Sequence, residues 1–233
     1  MAGIYWRVNS GKYQVSKKKL AKFAELASFS NVVANPKDLR GKWAGDYFKN
    51  SGPITLDLGC GKGEYTIALA GKYPERNFIG LDVKGARLWS GAGSASEREL
   101  ANVAFIRGRA EMLAEYFAQG EVNEIWLAFP DPFPKRRHAA KRVTGEAYLD
   151  IYRKVITPGG LIHVKTDDPG LFDFTLANIS ANGWRILELI EDLYALPAVD
   201  GILHIQTKYE RQFLAVGKKI RYVRFTSTDI IIS

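Results

Sequence analysis

The chain has 233 residues, which fits one domain with an embellishment at either end, and its 46% hydrophobic and 25% charged composition excludes wholesale disorder. No apolar stretch approaches the roughly 18 residues that span a bilayer, the N-terminal Met1-Ala2-Gly3-Ile4-Tyr5-Trp6-Arg7 lacks a signal-peptide core, and the single cysteine, Cys60, excludes an internal disulfide. The composition therefore predicts a soluble cytoplasmic protein. Its formal net charge of +8 (33 Lys and Arg against 25 Asp and Glu) suits a polyanionic partner such as nucleic acid, although many soluble proteins are mildly basic for no specific reason.

Residues 1–52 carry a lysine run (Lys17, Lys18, Lys19, Lys22) followed by a loop-like stretch with Asn35-Pro36, Gly41 and Gly45. They read as a basic N-terminal arm packed on a main domain over 53–233. From Pro53 the pattern becomes short apolar runs, at 54–58, 78–83, 103–107, 125–129 and 161–165, which predict buried parallel strands. Amphipathic windows at 64–72, 85–100, 110–118, 145–156 and 171–182 separate or follow them and predict helices, punctuated by Pro74, Gly120, Pro158-Gly159-Gly160 and Asn182-Gly183. Strand and helix alternating five times predicts a doubly wound α/β sheet. After Trp184 the pattern suggests a strand at 186–190, a loop around Pro197 and Gly201, and a last strand at 213–216.

Leu56-Asp57-Leu58-Gly59-Cys60-Gly61-Lys62-Gly63-Glu64 joins the first of these strands to the first helix. Glycines in such a turn let backbone approach a ligand closely. A phosphate-binding loop needs Gly-Lys-Ser/Thr, and Gly63 follows Lys62 instead. A dinucleotide loop needs GxGxxG, and Gly59, Gly61 and Gly63 give GxGxG. Asp57 would repel a pyrophosphate but would suit a cationic nucleoside such as S-adenosylmethionine. Asp82, at the end of the next strand, is placed to accept from ribose hydroxyls.

The fourth strand runs into Pro130-Asp131-Pro132-Phe133-Pro134-Lys135-Arg136-Arg137-His138, then Lys141 and Arg142. In an open α/β sheet the ligand crevice lies beyond the carboxyl ends of the strands, here between the first and the fourth, which sets Asp131 beside the cofactor's reactive end. Three prolines fix the loop's course. The basic run suits a phosphate backbone, or else is a solvated helix entrance; Phe133 suits a base-stacking platform or a core position.

PDPFPKRRHAAKRVT resembles the signature of the bacterial tRNA (guanine-N7)-methyltransferases, the TrmB family. LDLGCGKGEYTIALA, FIGLDVK, GGLIHVKTDD and TKYERQF resemble its other motifs, in order, from about Pro53 to Phe213. The resemblance implies a Rossmann-like class I S-adenosylmethionine-dependent methyltransferase fold with a mostly parallel seven-stranded sheet and helices on both faces. It implies methyl transfer from S-adenosylmethionine to N7 of a tRNA guanine, number 46 of the variable loop, giving 7-methylguanosine. It also implies cofactor contacts at Asp57, Gly59, Gly61, Gly63, Asp82, Arg109, Ala110 and Asp131, with Asp131 catalytic. Substrate contacts are implied at Lys135, Asp167, Thr207, Lys208, Tyr209 and Glu210.

For the tRNA backbone, Arg136, Arg137, His138, Lys141 and Arg142 are the candidates. Lys218, Lys219, Arg221 and Arg224 either extend that surface or form a solvated face. Glu210 has a second reading as a surface ion pair with Lys208 or Arg211. The chain departs from the family at Asp57 and Asp82, where Glu is usual, and at Phe133, where Trp is commoner. A larger departure is Arg109, where an Asp or Asn usually serves adenine and an arginine cannot accept a hydrogen bond. An NAD-dependent oxidoreductase, a catalytically silent tRNA-binding protein and a small-molecule methyltransferase are the rival readings. No metal is expected, and the state is monomer or homodimer.

Overall fold

The computed structural model describes residues 24–196 and 201–228, with short pieces at 7–8, 11–12 and 21–22. Lys17, Lys18, Lys19 and Pro197 lie outside the described residues. A two-residue ladder pairs β1 (Arg7–Val8) with β2 (Gly11–Lys12). All other strands among the described residues join one sheet: β3 (Val32–Val33), β4 (Ile54–Leu58), β5 (Asn77–Asp82), β6 (Val103–Arg107), β7 (Val122–Ala128), β8 (Ile156–Thr166), β9 (Trp184–Ile190) and β10 (Arg221–Ser227). The spatial order is β3-β6-β5-β4-β7-β8-β10-β9. Neighbours from β3 to β8 are parallel, and β10 runs antiparallel to both β8 and β9.

The apolar runs form strands because both faces of the sheet are covered, so consecutive side chains are buried on opposite sides. Leu56, Ile79, Ala104, Ile106, Ile125 and Leu127 point into one core, which helices α3 (Leu113–Tyr116), α4 (Glu146–Arg153) and α5 (Pro169–Ala181) close. Phe78, Val103, Phe105 and Trp126 point into the other, beneath α1 (Glu64–Lys72) and α2 (Gly85–Glu97). The third expected helix window, 110–118, is a single 3-10 turn at Ala110–Met112 followed by the short α3.

Two expectations need correction. The sheet has eight strands rather than seven, because β3 from the N-terminal segment pairs with β6 through Val32 and Val33. The same segment supplies Trp43, fully buried, stacked on Phe117 at 5.5 Å and donating its indole N–H to the Tyr116 carbonyl at 2.9 Å. The stretch 213–216 is not a strand. Phe213 and Leu214 lie in helix α6 (Lys208–Ala215), started by the Thr207 hydroxyl, which accepts from the Glu210 N–H. The last strand among the described residues is β10, whose Val223 and Phe225 fill the core that helix α6 does not reach.

Candidate active site

The switch in strand order falls between β4 and β7, which are hydrogen-bonded neighbours with Asp57 opposite Trp126. The glycine turn leaves the end of β4, and the proline-rich segment leaves the end of β7. Both therefore open at one carboxyl edge of the sheet, where ligands of such folds bind.

In the glycine turn the three glycines divide by task. Gly59, Gly61 and Gly63 all have positive φ, at 74, 59 and 69°, which only glycine adopts without strain. A Cβ on Gly59 would meet nothing within 4 Å, and one on Gly61 only the Gly59 carbonyl at 4.0 Å, so these two face open space. A Cβ on Gly63 would come within 2.7 Å of the Phe105 ring. Gly63 is thus a packing glycine beneath the turn, while Gly59 and Gly61 form a cradle that a side chain would fill.

Asp82 holds that cradle in shape. Its two oxygens accept the N–H of Gly61 at 3.0 Å and of Lys84 at 2.7 Å, and each keeps a further lone pair. Asp57 lies inward, with one oxygen accepting the Thr66 hydroxyl at 2.6 Å. Burial raises its carboxyl to about 6, the Thr66 hydrogen bond offsetting only part of the rise. Burial likewise pushes the Cys60 thiol well up. An open glycine cradle flanked by the Asp57 and Asp82 carboxylates fits a nucleoside that carries positive charge.

Beyond β6, Arg109 is exposed and ion-paired with Glu111 at 2.9 Å, and Tyr148 donates to the same Glu111 oxygen at 3.1 Å. The Arg109 guanidinium and the Tyr148 hydroxyl hold the Glu111 carboxyl below the usual range. Ala110 begins the 3-10 turn that follows.

The segment after β7 is strained at the residues that precede its first and its last proline. Phe129 and Phe133 have φ of 55 and 41°, a region that bulky residues occupy at about 1–3 kcal/mol each. Asp131 lies between them, exposed, as are Lys135, Arg136, Arg137 and Lys141. His138 is half-buried against the edge of Phe133. Arg142 is engaged by the loop itself. Its guanidinium donates to the carbonyls of Pro132 at 3.0 Å and Phe133 at 3.1 Å and lies 4.4 Å from the Phe174 ring.

The third wall comes from the end of β8 and from α6. Asp167 is ion-paired with Lys218, and Asp168 caps α5 through the Leu171 N–H. Lys208 and Tyr209 are exposed, and the Lys208 N–H reaches Glu64 at the start of α1 at 2.5 Å. Glu210 is fully buried, paired neither with Lys208 nor with Arg211 but with Lys165 at 2.7 Å. Lys165 is a site residue that motif spacing does not point to. A lysine inside the apolar run Ile162-His163-Val164-Lys165 is the signal, since a charge buried in a sheet requires a partner. Among the described residues no group of three His, Cys, Asp or Glu could hold a metal ion, and no helix is long and apolar enough to cross a membrane.

The family model described as "Putative methyltransferase" matches residues 51–223. A tRNA (guanine-N(7)-)-methyltransferase of Bacteroides fragilis is 44% identical over 219 residues, 91% of this chain and 86% of that protein. One from Porphyromonas gingivalis is 48% identical over 188 residues, 80% of this chain and 76% of that protein. Among solved structures, the 16S rRNA methyltransferase KamB aligns at a TM-score of 0.60 and 16% identity over 97% of this chain and 100% of its own, a likeness of fold alone. The chain belongs to the family of tRNA (guanine-N(7)-)-methyltransferases.

Proposed function

We propose that this chain methylates N7 of a tRNA guanine, at variable-loop position 46, with S-adenosylmethionine as the methyl donor. The observation that carries the reading is the meeting, at one sheet edge, of an open glycine cradle held by Asp82 with a strained, exposed Asp131 loop rich in Lys and Arg. Family membership supplies the base and the atom.

When bound, S-adenosylmethionine supplies a methyl group activated by a positive sulfur. Gly59 and Gly61 offer the backbone against which its amino-acid end lies, and Asp82 uses its spare lone pairs for the ribose hydroxyls. Asp57 places negative charge near the ammonium. Guanine N7 has a lone pair and no proton, so no residue need act as general base. The chain's contribution is alignment and electrostatics. Asp131 orients the base and offsets the positive charge that the imidazole ring acquires as N7 gains a bond. Lys135, Arg136, Arg137 and Lys141, all exposed on the same loop, neutralise phosphates. Asp167, Thr207, Lys208 and Tyr209 form the guanine side, and Glu210, fully buried on Lys165, stands behind them rather than on the base.

Calorimetric titration of S-adenosylhomocysteine into the chain and into Asp82→Ala tests the cofactor half. Saturable one-to-one binding, weakened at least about tenfold in the variant, is expected from loss of a charged acceptor with two ligand hydroxyls. Equal affinities would overturn the assignment of Asp82.

A further inference from the structure

Lys165 sits at the end of β8 with no exposed surface, and its ammonium gathers three points of the segment that follows β9. It donates to the Leu203 carbonyl at 2.8 Å, to the Ile205 carbonyl at 3.4 Å and to the Glu210 carboxylate at 2.7 Å. Glu210 is equally buried, and the Tyr194 hydroxyl donates to the same oxygen at 2.9 Å, itself accepting from Gln206 at 3.1 Å. Around the ammonium lie the rings of Tyr65 at 5.7 Å and Phe129 at 5.9 Å. Burial lowers the Lys165 pKa below its ordinary value, and the Glu210 carboxylate offsets only part of the fall.

These partners come from every wall of the site. Tyr65 belongs to α1, just past the glycine turn, and its hydroxyl donates to the Ile202 carbonyl at 3.0 Å. Phe129 begins the Asp131 loop, and its N–H donates to the Lys165 carbonyl at 2.8 Å. Leu203, Ile205 and Glu210 bracket the stretch that presents Lys208 and Tyr209. One side chain thus joins the element that faces the cofactor, the element that carries Asp131 and the element on the guanine side.

We propose that Lys165 is the positioning residue for tRNA guanine: it fastens residues 203–210 to the end of β8, so that Thr207, Lys208 and Tyr209 stand across from Asp131. The inference rests on the functional reading above. The ion pair touches neither Gly59, Gly61 nor Asp82, so the cofactor cradle keeps its shape without it. Removing the ammonium leaves a buried carboxylate unbalanced, and the favourable response is for α6 to swing toward water.

The test compares Lys165→Met with Leu149→Ala, a cavity variant in the core on the far face of the sheet, as a control for lost stability. Steady-state methylation of a tRNA transcript and calorimetric binding of S-adenosylhomocysteine are measured well below each variant's Tm. For Lys165→Met the KM for tRNA should rise at least about tenfold, while the affinity for S-adenosylhomocysteine stays within about twofold. Leu149→Ala should lower Tm and move neither. Tyr65→Phe removes only the hydroxyl on Ile202 and should raise the tRNA KM about two- to threefold, which decides the matter if Lys165→Met does not fold. An unchanged tRNA KM in the folded variants overturns the proposal, as does a KM rise matched by Leu149→Ala. If the unaltered chain neither binds S-adenosylhomocysteine nor methylates tRNA, the functional reading fails instead.

Discussion

Replacing Asp57 with asparagine shows whether the chain keeps a carboxylate beside the glycine turn against its own stability. Asp57 is only 3% exposed, and burial raises its carboxyl from 3.8 to about 6. An acid raised in this way keeps its proton in the folded chain after the unfolded chain has lost it. Folding therefore becomes less favourable as pH climbs from about 4 to about 6, and the penalty is complete above that window. The gap between 3.8 and about 6, at about 1.4 kcal/mol for each factor of ten in proton binding, amounts to about 3 kcal/mol. About 2 kcal/mol of it falls between about pH 4.5 and about pH 7.5. Urea unfolding of both proteins across that range should show the difference in favour of Asp57→Asn widening by this amount. Parallel pH profiles would refute the burial argument. An ammonium brought near Asp57 would ionise it, so binding of S-adenosylhomocysteine near pH 5.5 should release most of a proton. Calorimetry in buffers of different ionisation enthalpy should detect that release, and Asp57→Asn should abolish it.

The glycines should part company: Gly59→Ala fills the cradle and weakens S-adenosylhomocysteine binding at a stability loss of about 1 kcal/mol, whereas Gly63→Ala strikes Phe105 and costs about 2 kcal/mol or more in chemical denaturation. Equal effects of both on Tm and on binding would contradict the division. Neutralising Arg136 and Arg137 together should weaken tRNA binding and reduce its dependence on log salt by roughly 1 to 2. Arg142→Ala should instead lower kcat with the salt slope unchanged, because that guanidinium braces the Pro132 and Phe133 carbonyls. Trp43→Ala should cost about 3–5 kcal/mol in urea unfolding, a loss that a loosely attached arm would not show.

Local pattern carried most of the fold. The window 64–72 is helix α1 to the residue, and 54–58 and 103–107 are β4 and β6, because a run buried on both faces has no second reading once its length and its glycine or proline borders are known. The stretch 213–216 failed for a physical reason. Phe-Leu-Ala-Val is too short for its period to be read, and Thr207 with Glu210, which start the helix, lie six and three residues upstream of Phe213. β3 failed because two valines make no pattern; only their pairing with Phe105 and Ile106 defines them.

At the site, the glycine turn and the Asp131 loop were legible as spacing, but the division among glycines was not, since the Phe105 ring and the Gly91 backbone, both remote in sequence, distinguish Gly63 from Gly59. Arg142 looked like one more phosphate ligand in a basic run because its partners are carbonyls, which leave no mark in a sequence. The Lys165–Glu210 pair joins residues 45 positions apart, and neither residue type reveals that distance.

The most direct measurement incubates the purified chain with an unmodified tRNA transcript and S-adenosylmethionine, then digests the RNA and identifies its nucleosides by mass spectrometry. The account predicts 7-methylguanosine, mapped to position 46 and lost with Asp131→Ala. Methylation of another atom or another nucleoside, or 7-methylguanosine undiminished in Asp131→Ala, would contradict it.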